Sequence, residues 1–407
     1  MASGASPARR VAHKVLVRVF EEDAYADRAF ASEAKELDPR DRAFAQRIAY
    51  GAIQRARTLD HAVEALGGRA VSAMDPPVRA AIRLGAYELG FLGGVPPRAS
   101  VNEAVELVRD AGAERAVGFT NAVLRRVAEG IRDLVAALSE GTAAEAALKH
   151  SYPDWIAETW WDEWGGEEAL ALMRAQNEAP ETAVRVVATG EARVVERIDS
   201  AELEQGLVWP QSRGSQLAGA AVGLQPGERV LDLCAAPGGK TTQLAERAAE
   251  VVAVDVHPGR ARELEENCRL LGAKNITVVN ADARELPPEL TGFDRVLVDA
   301  PCSGLGVLAA RPDLRWRARP LPELQAELLA VARERVKPDG SITYSVCTIA
   351  KAENEDVVDQ ADGLALDDSL AETWPEYEHP HRSGALLTLP HRHRTSGFFI
   401  ARLVRTA

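Results

Sequence analysis

The sequence predicts an α/β protein in which an all-α domain and a small α+β connector precede a doubly wound, Rossmann-like sheet. Three observations predict it. The first third carries apolar residues at three- and four-residue spacing and little else, in Ala8 to Glu21, Arg40 to Leu66, Pro77 to Leu92, Val101 to Ala111 and Gly118 to Arg132. From about Thr182 the texture changes to short strand-like runs, Ala183 to Val187 and Leu207 to Pro210. After Gly227, near-continuous apolar strands alternate with helices, the pattern of a parallel sheet covered on both faces. We place the domains at residues 1–140, 141–210 and 211–407.

Each element has its signal. Asp75-Pro76-Pro77 and Val95-Pro96-Pro97 punctuate the helices, and Ser100 and Thr120 stand where N-caps belong. Ser151 to Gly166 reads as a transition holding Trp155, Trp160, Trp161 and Trp164. Such a cluster can stack on bases, but we read it first as fastening two domains together. In the last domain the strands are Val230 to Leu233, Val251 to Asp255, Ile276 to Val279, Val296 to Asp299 and Ser341 to Ser345, with helices at Thr241 to Arg247 and Gly259 to Leu271.

With 407 residues, 46% hydrophobic and 27% charged, the chain has the make-up of a soluble protein with real cores. No apolar run approaches the ~20 residues that span a bilayer, and the N-terminal stretch lacks a signal-peptide apolar region, so we expect a cytoplasmic monomer. Four scattered cysteines, Cys234, Cys268, Cys302 and Cys347, argue against disulfides and against a metal site. A net charge of −13 weighs against nucleic acid as a partner. The acid is uneven, however, concentrated in Asp154 to Glu178 and Glu353 to Glu378. The first 130 or so residues are near neutral and carry Arg9-Arg10, Arg55, Arg57 and Arg125-Arg126.

Ligands of a doubly wound sheet sit beyond the carboxyl ends of its strands. The turn Cys234, Ala235, Ala236, Pro237, Gly238, Gly239, Lys240 lies there, after Leu231-Asp232-Leu233. A Walker phosphate loop needs glycine six residues before its lysine, and Cys234 occupies that position. A dinucleotide fingerprint needs Gly-x-Gly-x-x-Gly, and only Gly238-Gly239 are present. An S-adenosylmethionine (AdoMet) loop needs small residues and a carboxylate ending the next strand. Asp255 stands where it can take ribose hydroxyls, and Asp282 where it can meet the adenine end. Singly, each acid has an even chance of merely capping a helix or facing water. Asp255, Asp282 and Asp299 at three strand ends after one glycine turn carry more weight together.

Cys302 follows the fourth strand and Cys347 ends the fifth, so both should reach the sheet edge of the cofactor turn. Carbon 5 of cytosine is a poor nucleophile until a thiolate adds to carbon 6. Such chemistry needs a cysteine held partly as thiolate and an acid near nitrogen 3, for which Asp299 is suited. Cysteines also end apolar strands as packing residues, which is how we read Cys268, in mid-helix.

At these residues the chain resembles the Nop/Sun family of RNA cytosine-5 methyltransferases. The stretches are Asp232 to Thr242, Asp299-Ala-Pro-Cys-Ser-Gly304, Arg311-Pro-Asp-Leu-Arg-Trp316 and Tyr344-Ser-Val-Cys-Thr348. Arg40-Asp-Arg-Ala-Phe-Ala-Gln-Arg-Ile-Ala-Tyr50 and Phe119-Thr-Asn-Ala-Val-Leu-Arg-Arg126 resemble a NusB-type RNA-binding domain. The pairing is that of bacterial members acting on a cytosine of small-subunit (16S) ribosomal RNA. The resemblance covers nearly the whole chain, most weakly at 133–205 and 355–385. It implies Cys347 as nucleophile, Cys302 as the cysteine that helps release product, and AdoMet contacts at Cys234 through Lys240, Asp255, Asp282 and Asp299. DNA cytosine methyltransferases use the Pro-Cys cysteine instead, so Cys347 favours RNA.

The chain departs from the pattern at Ser396, where Asp-Gly-Phe-Phe is expected, and at Val346, where threonine usually precedes the cysteine. The run His391-Arg392-His393-Arg394 could be a metal or RNA patch, and we read it as a solvated loop. Other readings stay open: a tRNA or another RNA as substrate, a non-catalytic RNA-binding or antitermination factor, or a small-molecule or DNA methyltransferase on the same fold.

Overall fold

The computed structural model describes residues 4–406; the first three residues of the N-terminal stretch and Ala407 lie outside the described residues. The chain forms two compact units. One comprises the chain up to Asn177 together with Leu308–Arg317, and the other comprises Glu178–Val307 and Ala318 onward.

The first unit is all helical. Its main helices are Pro7–Glu21, Ala26–Glu33, Pro39–Gln54, Ala56–Gly67, Pro76–Phe91, Pro97–Asp110, Val117–Ala137, Ala143–His150 and Asp154–Ala175. Their apolar stripes meet in one core that includes Leu16, Ile48, Leu59, Ile82, Leu124 and Val127. Asp38 caps the third helix, accepting from the N–H groups of Arg40 and Asp41, both at 2.9 Å. The periodic stretch Arg40 to Leu66 breaks at Arg55, whose φ of −97° and ψ of 11° leave the helical region. Ser100 and Thr120 are not caps. Pro97 opens its helix earlier, as proline at a first helical position does, so Ser100 lies inside it, buried, donating to Glu88 at 2.8 Å. Thr120 is likewise buried within Val117–Ala137. The tryptophan stretch is a helix kinked at Gly165, where φ is 78°. Trp160 is buried there, edge-on to Tyr152 with ring centroids 5.3 Å apart.

The segment Leu308–Arg317 explains how the first unit closes. The last carbonyls of a helix lack intrahelical donors. Fully buried Arg315 supplies them, donating to the carbonyls of Gln54 (3.2 Å), His150 (3.3 Å), Ser151 (3.2 Å) and Gln176 (2.7 Å). Three helix ends thus converge on one guanidinium, a placement the helix dipole also favours. Its other face lies 4.0 Å from the Tyr152 ring centroid, and the Trp316 indole N–H donates to the Ile53 carbonyl at 2.8 Å.

The second unit holds two sheets. In the small one, β1 (Ala183–Val186) pairs antiparallel with β2 (Ala192–Val194) and β3 (Val208–Pro210). The large one is built from β4 (Arg229–Asp232), β5 (Glu250–Val254), β6 (Ile276–Val279), β7 (Phe293–Asp299), β8 (Val336–Val346), β9 (Leu364–Leu366), β10 (Leu386–Thr388) and β11 (Phe398–Arg405). Their order is β10-β11-β8-β7-β4-β5-β6, with β9 on β11. Strands β4 to β8 run parallel, as the apolar runs predict. Strands β9 to β11 add an antiparallel edge that the sequence reading did not anticipate. The chain steps from β4 to β5 and β6 on one side, then returns to β7 and β8 on the other. That reversal opens a crevice at the carboxyl ends of β4 and β7.

The expected boundaries at 140/141 and 210/211 do not match these units. The helices Ala143–His150 and Asp154–Ala175 belong to the first unit, because their ends are tied to Arg315 and Tyr152. The small sheet belongs to the second. Buried Arg185 of β1 donates to Gln211 (3.2 Å), to Thr242 (2.8 Å) and to Glu246, gripping the helix that follows the glycine turn. No helix among the described residues is long and apolar enough to cross a membrane.

Candidate active site

Strand β4 ends at Asp232, and the backbone then bends away tightly. The Leu233 N–H donates to Leu297, and the Ala235 N–H to Val254, both at 2.9 Å, so the turn hangs from β7 on one side and β5 on the other. Between them Cys234 takes a φ of 148°, a conformation L residues rarely adopt, so the turn stores backbone strain. Gly238 follows at a φ of 106° and starts the helix Gly239–Ala245. A Cβ on Gly239 would lie 2.9 Å from the Trp209 indole nitrogen, so the turn must be small for β3 to cover it.

Asp232 is the buried charge of this turn. The residue is only 1% exposed; its Oδ2 accepts from the Thr241 hydroxyl at 2.7 Å, while its Oδ1 has no hydrogen-bond partner among the described residues. Burial pushes its carboxyl up to about 7, against the pull of the Thr241 hydroxyl. It borders a cavity of about 230 Å³ shared with Gln211, Ser212, Ala235, Ala236, Lys240 and Asp299. The sequence reading quoted Asp232 in a motif and assigned it no role. The available signal was a carboxylate inside the apolar run Val230-Leu231-Asp232-Leu233, where a buried acid needs a reason.

The other acids separate by surroundings. Asp255, buried beyond β5, accepts from the N–H groups of Ala236 (3.3 Å) and His257 (3.0 Å), with Arg260 at 3.6 Å. Asp299, ending β7, accepts from the Lys240 ammonium at 2.8 Å, which lies 4.8 Å from the centre of the Phe398 ring. Asp282 stands outside this cavity, beyond β6, capping the turn Ala283–Glu285. Its carboxylate accepts from the Arg284 backbone N–H (2.9 Å) and guanidinium (2.8 Å), and the guanidinium holds its pKa down at about 2.

The two predicted cysteines meet. Cys302 lies three residues beyond β7 and Cys347 one beyond β8, and their sulfurs are 3.4 Å apart. Backbone bonds fix the approach: the Ala300 N–H donates to Ser345 at 2.9 Å and the Gly306 N–H to Cys347 at 3.0 Å. Both thiols are half-buried. The hydrogen bond with Cys347, and then burial, raise Cys302 well above an ordinary thiol. Cys268 is buried in the helix Pro258–Leu270 beside Leu264, as a packing residue would be, with burial raising it to about 11. Burial likewise raises Cys234.

At the departure from the family pattern, main chain does the work. The Gly397 N–H donates to the Gly306 carbonyl at 2.8 Å, and the Ser396 carbonyl accepts from Thr388 at 2.7 Å. A Cβ on Gly306 would sit 2.1 Å from the Gly397 oxygen, so the stretch after Cys302 and the one before Phe398 touch backbone to backbone. Val346 is buried at the end of β8, opposite Phe399. The His391 to Arg394 run forms the short helix Pro390–His393 and the residue after it; Arg392 and Arg394 are exposed, while the His393 ring packs 5.1 Å from Tyr377.

A doubly wound sheet whose carboxyl edge bears a glycine turn, strand-end acids and two touching thiols is the catalytic domain of a methyltransferase, here behind an all-helical unit. The model of the 16S rRNA methyltransferase RsmB/F family matches residues 220–404, and that of the NusB family residues 6–129. The probable ribosomal RNA small subunit methyltransferase B of Synechocystis is 34% identical, over 97% of this chain and 99% of that protein. The corresponding probable enzyme of Bacillus subtilis is 31% identical, over 96% and 97%. Among solved structures, PH0851 shares the fold across 99% of this chain and all of its own, with a TM-score of 0.80 at 24% identity. The chain belongs to the RsmB/F family of methyltransferases and carries a NusB-type domain.

Proposed function

We propose that the protein methylates carbon 5 of a cytosine in small-subunit (16S) ribosomal RNA through a covalent cysteine adduct, with AdoMet as methyl donor. The observation that carries this reading is the pair of thiols 3.4 Å apart at the carboxyl edge of the sheet. A methyltransferase acting on an already nucleophilic nitrogen or oxygen has no use for them. Carbon 5 of cytosine does, because it must first become an enamine.

The cavity at the glycine turn fits the amino-acid end of AdoMet. The orphaned Oδ1 of Asp232, a lining residue of that cavity, would accept from the AdoMet ammonium, and the small residues Ala235 to Gly239 would let the cofactor approach the backbone. Asp255 would take the ribose hydroxyls and Asp282, from outside the cavity, the adenine end. Bound there, AdoMet supplies an electrophilic methyl group.

Cys347, as thiolate, forms a bond to carbon 6; the ring's electron pair shifts toward nitrogen 3, which takes a proton from Asp299 in its carboxylic-acid form. The hydrogen bond with Cys347, then burial, holds the proton on Cys302, in keeping with Cys347 as the attacking thiolate. After methylation, a base removes the proton from carbon 5, the pair re-forms the ring double bond and the Cys347 sulfur departs. Cys302, 3.4 Å from Cys347, would assist that release. The helical unit, with its NusB kinship, would dock the RNA, since a cytosine must be unstacked before a thiol reaches it.

The test offers the protein labelled AdoMet with unmodified small-subunit rRNA, with tRNA, with DNA, or with no polymer, and identifies the methylated nucleoside by mass spectrometry. We expect 5-methylcytidine from the rRNA alone. Any other nucleoside as the main product overturns the carbon-5 assignment, and methylation of tRNA in preference to rRNA overturns the substrate.

A further inference from the structure

The mechanism uses both cysteines but leaves unexplained a carboxylate buried behind them. Glu353 lies in the short turn Lys351–Glu353 after β8, with no exposed surface. Its Oε1 accepts from the N–H groups of Ser303 and Leu321 and from the Gln325 side-chain amide, all at 3.0 Å. Its Oε2 accepts from the Ser303 hydroxyl. Such an all-acceptor set is what an ionised carboxylate takes.

The partners are informative. Ser303 directly follows Cys302, and its hydroxyl lies 2.9 Å from that of Thr348, which directly follows Cys347. The Gln325 amide also donates to the Pro301 carbonyl at 2.9 Å, so Glu353 and Gln325 bracket the Cys302 turn from both sides. The Tyr344 hydroxyl donates to the Glu353 carbonyl at 2.7 Å, tying the turn back to β8. One buried acid therefore fixes the residues next to both thiols. A helix N-cap or a surface pair would serve stability more cheaply, since a buried charge carries a desolvation cost.

We propose that Glu353 is a positioning residue for the thiol pair: it sets the spacing of Cys302 and Cys347 and assigns them their different roles. Two effects act together. The hydrogen bonds through Ser303 and Thr348 hold the two turns in register. The negative charge disfavours a second anion nearby and so keeps the proton on Cys302, as its raised pKa reflects after the larger effects of Cys347 and burial. Cys347 is thereby left to attack, and Cys302 to act when the adduct resolves.

This inference rests on the covalent reading above, and the experiment separates the two. In the full-length protein, iodoacetamide labelling of each cysteine against pH, resolved by peptide mass spectrometry, reads proton affinity without RNA. In parallel, a denaturing gel reads covalent complex formed with unmodified small-subunit rRNA and AdoMet. Glu353→Gln should lower the labelling midpoint of Cys302 by about one pH unit and accumulate adduct several-fold, because release slows while attack continues. Glu353→Asp, which keeps the charge, should hold that midpoint near the wild-type value. Wild-type midpoint and wild-type adduct level in folded Glu353→Gln overturn the proposal. Should that variant not fold, Ser303→Ala with Thr348→Val cuts the bridge and leaves the charge; adduct must still build up at an unchanged midpoint, and wild-type adduct overturns the proposal. Failure of the covalent reading looks different: Cys302→Ala then gives no adduct yet still methylates, whatever Glu353 does.

Discussion

The Cys302 turn and the Arg311 to Trp316 segment are neighbours in sequence, and both are motifs, yet they live in different units. At the Cys302 turn the two thiols face each other half-exposed, above the buried Ser303, Thr348 and Glu353. Around Arg315 the guanidinium is fully buried among carbonyls and a tyrosine ring, out of reach of a substrate. The first arrangement keeps reactive capacity near solvent, whereas the second uses it up in holding three helix ends. A motif therefore reports that residues are required, and only its surroundings say whether chemistry or architecture requires them.

The largest effect should come from the architectural side. Arg315→Leu removes the side-chain donor of the Gln54 and Ser151 carbonyls and one of two at His150 and Gln176, and we expect a loss on the order of 3 kcal/mol in urea unfolding of the helical unit. At temperatures where the variant stays folded, its AdoMet affinity should match the wild type. A collapse of AdoMet binding in the folded variant would break the distinction drawn here.

On the chemical side, Asp255→Ala should weaken AdoMet by about ten- to a hundredfold in calorimetry with the fold intact, the worth of charged hydrogen bonds to two hydroxyls. Unchanged affinity would remove Asp255 from the site. Asp232 gives a smaller, pH-dependent signature. A carboxyl raised to about 7 is mostly neutral at pH 5.5 and half ionised at pH 7, so AdoMet affinity should rise about tenfold across that range. Stability moves the other way. The folded value lies above the unfolded one of about 3.9, so the cofactor-free protein loses stability as pH climbs from about 4 to 7. Asp232→Asn should flatten both slopes. Asp282, held at about 2 by Arg284, should contribute neither.

Much of the catalytic edge was legible because strand ends and a glycine turn leave local marks. Asp299, Cys302 and Cys347 could be brought together on paper from the alternation of strands and helices alone. What could not be read were partners distant in sequence. Asp255, by contrast with Asp282 and its neighbour Arg284, is held by the backbone of the distant glycine turn through the Ala236 N–H. Nothing in Arg311 to Trp316 announces that it packs with helices more than a hundred residues away. Ser100 reads as a cap only if the prolines before it end an element, whereas Pro97 opens the helix. The edge strands β9 to β11 escaped because the clear alternation of β4 to β8 with helices masked an antiparallel addition beside β8.

The central claim is that the touching thiols divide one reaction between them, and trapping tests it directly. With labelled AdoMet and unmodified small-subunit rRNA, Cys302→Ala should attack and methylate once, then stall as a slow-migrating, RNase-sensitive band carrying the methyl label. Cys347→Ala and the double variant should give no band and no product. Trapping by Cys347→Ala, with loss of the band in Cys302→Ala, would contradict the assignment and exchange the two roles.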